Sequence, residues 1–301
     1  MTPPLRQRRL IFVTGKGGVG KTTVATALAL SLSRVGKKVL LCSIDERPDI
    51  AEAFGRKELT FAPVEVEPRM FVMGMETEAA LREYLKINLK LPFLGKLGPV
   101  ATALDFVATA APGVKEILTI GKICFEVRER HYDVVVVDAP ATGHVVGYLS
   151  APRAINDMAK VGLIRSQTSW MEEILGDAET TSALIVTTAE EMPVQETLEL
   201  MVSLRNKTQV HLDAVLVNRV IEVEPSETEN ELIDERMTGE SPVAIAWHLA
   251  RARSAKQGRH LSHLETGVSA PVEILRVPEI VSQRASELVE AVAASLGAEL
   301  T

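Results

Sequence analysis

Cysteine is nearly missing from this sequence. Of 301 residues only Cys42 and Cys124 carry a thiol, and they stand far apart, in neither a CxxC nor a Cys/His spacing. That spacing argues against a disulfide framework or a zinc knuckle within the chain, and it leaves a soft metalloid short of thiolate ligands. Long apolar runs are missing too: no stretch reaches the about 18 uninterrupted residues that suggest a membrane span. The basic start, Met1 to Arg9, is not followed by the apolar core of a secretory leader. Basic charge is outweighed, with 33 Lys and Arg against 40 Asp and Glu, so a net charge of −7 offers no footprint for nucleic acid or an anionic membrane surface. No internal repeat is present, so the chain reads as one unit. A soluble, cytoplasmic protein is expected, binding no nucleic acid and making no stable membrane insertion.

What is present, besides 46% hydrophobic residues for a core, is a glycine loop. Gly15-Lys16-Gly17-Gly18-Val19-Gly20-Lys21-Thr22-Thr23 follows an apolar run, Leu10 to Val13, and opens a helix-like segment, Val24 to Val35. Strand, glycine loop and helix in that order form a phosphate-binding P-loop. The glycines let the backbone fold tightly and turn its N–H groups inward as an anion nest, and the helix N-terminus adds its partial positive charge. Lys21 is expected to reach the β/γ-phosphates of a nucleoside triphosphate such as ATP, and the Thr22 hydroxyl to ligate Mg²⁺.

Strand and helix signals alternate along the rest of the chain. Strands are expected at Leu10–Thr14, Lys38–Asp45, Met70–Glu76, Val134–Val137, Ala183–Thr188, Ala214–Val217 and Val272–Val277. Helices are expected at Val24–Val35, closed by Gly36, from Thr77 onward, at Ala154–Leu175, Pro193–Leu204, Pro242–Glu265 and Glu279–Leu296. Between Leu91 and Val127, prolines and glycines break an apolar stretch into short helices. This alternation predicts an α/β fold, a P-loop NTPase with a mostly parallel sheet flanked by helices. Residues 1–301 read as a single ATPase domain. A helical subdomain contributed by about 77–130 and 150–178 surrounds Asp138, and about 221–241 forms a flexible acidic loop. Asp138, at the end of a valine strand, is a Walker B acid acting on Mg²⁺ directly or through water.

The loop resembles the deviant Walker A of the ParA/MinD/ArsA class, whose Gly-Lys-Gly-Gly-x-Gly-Lys-Thr matches Gly15–Thr22 at every fixed position. The resemblance implies that Lys16 crosses a dimer interface and touches the partner's phosphates, in the role of an arginine finger. Ser43–Asp49 lies where the ArsA-like family carries a switch I aspartate that orients the attacking water. Asp45 is the expected carrier, with a turn or cap as its alternative role, and Asp49 lies beyond the strand end. Asp138-Ala139-Pro140-Ala141-Thr142-Gly143-His144-Val145 is similar to the switch II signature Asp-Thr-Ala-Pro-Thr-Gly-His-Thr of the arsenite-pump and tail-anchored-protein-targeting ATPases. Asp138, Thr142, Gly143 and His144 match in register; Ala139-Pro140-Ala141 and Val145 depart from it. His144 is expected to couple nucleotide state to the following helices. Asn218 is similar to the family's adenine-reading asparagine, an amide offering both a donor and an acceptor, and Pro278 matches the place of its adenine loop.

By resemblance the chain is identified as an ArsA-family ATPase of single-unit bacterial type. The implied function is Mg²⁺-dependent ATP hydrolysis at the interface of a homodimer, or of a heterodimer with a paralogous ATPase. Catalysis would fall to Lys16, Lys21 and Asp45, and the output would be the handling of a protein cargo by the helical subdomain. Phe93, Leu94, Leu97, Val100, Leu104, Val107, Ile117, Leu118 and Ile123 could serve a core or a groove there. Two alternatives stay open: an arsenite- or anion-efflux ATPase subunit, and a MinD- or ParA-like positioning ATPase. The last would call for a basic amphipathic terminal helix, whereas Val281, Ala285, Leu288, Val292 and Leu296 form a stripe flanked mainly by glutamates, suited to packing on its own sheet.

Overall fold

Strands such as Val134–Val137, apolar at every position, need cover on both faces, and the fold supplies it. The structure is a computed structural model that describes residues 5–45, 48–89, 113–158, 163–221, 233 and 241–299. In chain order these form β1 (Leu10–Gly15), α1 (Lys21–Arg34), β2 (Val39–Ser43), α2 (Pro48–Ala53), β3 (Val64–Glu67), β4 (Met70–Gly74), α3 (Thr77–Leu89) and α4 (Val114–Arg128). There follow β5 (Val134–Ala141), α5 (Thr142–Met158), α6 (Leu163–Gly176), β6 (Thr181–Thr188), α7 (Glu191–Lys207), β7 (His211–Val220), α8 (Pro242–Gly267), β8 (Glu273–Pro278) and α9 (Ala285–Glu299). The strands make one sheet in the order β3-β4-β2-β5-β1-β6-β7-β8. Every neighbouring pair is parallel except β3–β4.

Strand pleating sorts the core into two layers. Leu10 and Phe12 of β1, with Val135 and Val137 of β5, face α3, α4, α5, α6 and α7. Ile11, Val13, Val134 and Val136 face α1, α2 and α9. Helix α1 lies between the sheet and α9, so Val24, Ala25, Ala27, Leu28 and Ala29 are all buried. It stops in a Schellman motif: Gly36 adopts φ 91°, its N–H donates to Ser33 O at 2.9 Å, and Lys37 N–H donates to Leu32 O at 3.2 Å.

Three expectations from sequence are corrected. The strand β3, Val-Glu-Val-Glu, was not anticipated; it is short, alternates half-buried valines with exposed glutamates, and pairs antiparallel at the sheet edge. The single helix expected at Ala154–Leu175 is two helices, and the first begins at Thr142, directly off β5, with Pro152 inside it. The closing helix begins at Ala285, not Glu279; Val281 precedes it and is 92% exposed, while Val289, Val292, Ala293 and Leu296 are its buried stripe. That stripe packs on α1, as expected of a helix that covers its own sheet. Residues Phe93, Leu94, Leu97, Val100, Leu104 and Val107, and nearly all of the acidic segment 221–241, lie outside the described residues. No described helix is long and apolar enough to cross a membrane.

Arg8, fully buried, anchors the start of β1 to β7, two strands away. Its Nε and Nη2 donate to both carboxylate oxygens of Asp213 on β7, each at 2.6 Å. Removing one partner of such a pair strands the other charge in the interior. Asp213→Ala is expected to lower unfolding stability by about 3 kcal/mol, measured as a shift in the urea midpoint with unchanged slope.

Candidate functional site

In a parallel sheet the chain leaves every strand at the same edge, so loops distant in sequence meet there. The loops after β1, β2, β5 and β7 all meet at that edge. The first is shaped by glycine. Gly15 adopts φ 145°, and a Cβ there would lie 2.0 Å from the carbonyl oxygen of Val186 on β6. Gly18 and Gly20 adopt φ 86° and 93°, the left-handed region that side chains disfavour. A Cβ at Gly20 would also meet Asn218 Nδ2 at 2.5 Å.

Lys21, almost fully buried, folds back so that its Nζ donates to Lys16 O at 3.0 Å, bracing the loop from within. Thr22, one residue on, donates its hydroxyl to Asp138 Oδ2 at 2.8 Å. The two residues expected to serve Mg²⁺ are therefore in contact, Thr22 from the first turn of α1 and Asp138 from β5. Both present oxygen, the donor type a hard cation prefers, and Asp138 is buried. These residues fit the ion, and when bound it would neutralise phosphate charge there.

Hydrogen bonds to backbone oxygens tie the neighbouring segments together. Thr14 Oγ1 donates to Pro140 O at 3.0 Å, joining the end of β1 to the Asp138–His144 turn. Ile44 N–H donates to Asp138 O at 3.2 Å, joining the end of β2 to β5. Asp45 stands two residues past β2, half-exposed, with its backbone oxygen held by the Ser43 hydroxyl at 2.8 Å. Asp49 is exposed on α2. Tyr148 of α5 feels Asp45: its phenol is pushed up to about 12, by burial first and then by Glu116 and Asp45. In the turn itself Ala139 and Pro140 are buried, Thr142 is half-buried, and Gly143 and His144 are exposed in the first turn of α5.

The two lysines of the loop have different fates. Lys21 points inward, whereas Lys16 runs sideways and its Nζ meets Glu196 Oε1 of α7 at 2.6 Å, both side chains less than a third exposed. Nothing in the sequence singled out Glu196, which lies 180 residues away on an otherwise ordinary helix. Asn218 is buried at the end of β7. Its Nδ2 donates to Val19 O at 2.9 Å and its Oδ1 accepts from Arg219 N–H at 3.0 Å. Arg219, at φ 59°, sends Nη1 toward Gly18 O at 3.4 Å. Asn218 thus holds the glycine loop from the β7 side, and Arg219 is a second contact that sequence reading missed. Pro278 ends β8 in register with Val220, next to the same edge. The thiols stand apart from all of this. Cys42 in β2 and Cys124 in α4 are both buried, and burial raises both, Cys42 to about 12.

A family profile described as anion-transporting ATPase matches residues 8–169 and 154–241, which hold the site from the glycine loop to Arg219. The chain belongs to the anion-transporting ATPase (ArsA) family. Its matched part is therefore an ATPase domain with the α/β sheet of that family. Among relatives, ATPase BagA of Mycobacterium tuberculosis is 38% identical over 224 residues, covering 71% of this chain and 65% of that protein. ATPase get3 of Neurospora crassa is 30% identical over 164 residues, 54% of this chain and 48% of its own length. A protein of Aquifex aeolicus named after arsenical pump-driving ATPases is 27% identical over 253 residues, 73% of this chain and 82% of that protein. The chain thus spans about two thirds of the mycobacterial ATPase and about half of the fungal one.

The geometry separates the glycines of the loop. Gly15→Ala is expected to lose at least about 2 kcal/mol by forcing Cβ into β6, whereas Gly17→Ala, with nothing within 4 Å of its Cβ, should stay within about 0.5 kcal/mol. Thermal melting of the two variants side by side measures this. The thiols give a second check: at pH 8 neither should react with a charged aromatic disulfide within minutes until denaturant is added, because burial disfavours both thiolates. Rapid labelling of the native protein would contradict the placement of Cys42 and Cys124.

Proposed function

We propose that this ATPase-family chain hydrolyses Mg²⁺-ATP in a site shared between two subunits, identical chains or this chain and a paralogue. The observation that carries the reading is the pairing of Thr22 with Asp138 under a glycine loop that also bears Lys16. Thr22 and Asp138 would hold the ion, Lys21 the β/γ-phosphates, and Asp45 the attacking water. Lys16 points away from its own loop, a direction that suits a cation serving a partner's phosphates. Its bond to Glu196 would then have to break as the subunits close. Asn218 and Pro278 lie where the adenine would be read.

The output of the cycle follows from α5. This helix starts within the Asp138–His144 turn and packs against α4, α6 and α7. A change at Pro140 or His144 on nucleotide binding would therefore move a helix of the layer formed by about 77–130 and 150–178. We read that layer as a subdomain that handles a protein cargo or partner in the cytoplasm. The name of the Aquifex relative favours an arsenite- or anion-efflux subunit as a second reading, but the two buried thiols supply no exposed soft ligand. A MinD- or ParA-like positioning role has less support, since the terminal helix α9 spends its apolar stripe on α1.

Turnover per chain should rise steeply with protein concentration, and Lys16→Ala should reduce it by at least about a hundredfold while ATP binding is largely retained. Glu196→Gln, which releases Lys16, is expected to raise turnover several-fold at low protein concentration. Phosphate release, followed across a protein dilution series together with light scattering, measures all three. Normal turnover by Lys16→Ala would refute the shared site.

A further inference from the structure

At the end of β7 the chain turns on an arginine. Arg219 holds a left-handed backbone, φ 59°, which a residue with a Cβ adopts only at a cost. Arg69 and Arg130 share that sign of φ, but in the turns that lead into β4 and β5, at the edge where those strands begin. Arg219 alone of the three stands at the edge where the glycine loop leaves β1. Its main chain is gripped on both sides. The N–H donates to Asn218 Oδ1 at 3.0 Å, and the carbonyl accepts from Gln257 Nε2 of α8 at 3.0 Å. Gln257 Oε1 also accepts from Ile221 N–H at 2.8 Å, and Ser254 Oγ donates to Ile221 O at 3.2 Å, so α8 fixes the corner from behind. From there the exposed side chain crosses to the glycine loop, where Nη1 reaches Gly18 O at 3.4 Å. A hydrogen bond that long and that exposed contributes little; it does not account for a backbone held in the left-handed region. What it does is lay a planar cation beside Asn218. That amide has spent one of its two hydrogens on Val19 O and one of its two oxygen lone pairs on Arg219 N–H, which leaves one of each.

We propose that Arg219 is a base-contacting residue: the planar base of the bound nucleotide stacks on its guanidinium and on the stem beneath it. This rests on the reading that places the adenine at Asn218 and Pro278. A guanidinium is flat and weakly hydrated and favours aromatic faces, and an exposed one fixed at both ends is ready for a face without further ordering. The phosphates are not its target. A glycine loop turns its N–H groups toward phosphate, whereas it shows Arg219 a carbonyl oxygen, so the guanidinium lies outside the nest. Stacking is tolerant of ring substituents. Arg219 therefore supplies affinity for a base, and the choice among bases falls to edge contacts such as those of Asn218.

Calorimetric titration of the full chain with ADP and with pyrophosphate, both with Mg²⁺, separates the base from the phosphates without turnover. The parent should bind ADP more tightly than pyrophosphate. Arg219→Gly should weaken ADP about fivefold and leave pyrophosphate unchanged. Glycine accepts φ 59° freely, so the nucleotide-free variant should melt within about 2 °C of the parent. Arg219→Lys, which keeps the charge without the plane, should recover only part of the loss. An equal loss for ADP and pyrophosphate would make Arg219 a brace of the loop and overturn the base contact. Full recovery by lysine would put charge in the place of stacking and overturn it as well. If the parent prefers ADP and Arg219→Gly keeps that preference, the base is bound without Arg219 and this inference alone fails. If the parent binds the two ligands equally, the base is not read at this edge, and the placement of the adenine at Asn218 and Pro278 fails with it.

Discussion

The placement of β1 between β5 and β6 is the constraint on which the rest of the structure depends. Hydrogen bonded on both sides, β1 can neither slide nor tilt, and each end is fixed by a contact that leaves little tolerance. At its start Arg8 is locked to Asp213; at its finish Gly15 lies so close to Val186 that no side chain fits. The glycine loop therefore leaves the sheet from a set position and direction. From there Thr22 reaches Asp138 on the neighbouring strand, and the loop backbone reaches Asn218 and Arg219 two strands away on the other side.

This arrangement makes the site a junction between the two layers. The α1 layer is closely packed: an alanine-rich helix lies between sheet and α9, and its buried Thr26 and Ser33 hydroxyls donate back to the helix's own carbonyls of Thr22 and Leu30. The opposite layer holds a cavity among α3, α4, α5 and α6, a buried Lys122 cluster and a helix that begins inside the site. Proteins place movable elements where packing is less complete, and the second layer has that character. Helix α5 runs between the site and the cavity, starting at Thr142 and lining the cavity at Ile155.

The relatives are similar to this chain in sequence while differing in what their names say. A mycobacterial ATPase, a fungal get3 and a protein named after arsenical pumps each match more than half of the chain. In this chain the thiols are buried in a strand and a helix, and the helical layer contains an apolar cavity bordered by an arginine–tryptophan stack.

Local sequence carried the parts of this protein that obey local rules. The glycine spacing of residues 15–20 has one use at the end of a buried strand, and alternating strand and helix periods leave a parallel sheet as the fitting architecture. Asp138 was legible because a strand of pure valine ending in a carboxylate points that carboxylate at the ligand edge. Where local signals conflict with context, reading failed: the Val-Glu alternation of β3 resembles a polar loop, and Pro140, Gly143 and Pro152 conceal a helix that runs from Thr142. Contacts across long separations were decided only by the tertiary structure. Glu196 meets Lys16 across 180 residues, Asn218 spends its amide on Val19 across 199, and Arg128 stacks on Trp170 from a different helix. None of these pairs has a signature in spacing or composition, because each depends on which strands are neighbours and which helix faces oppose one another.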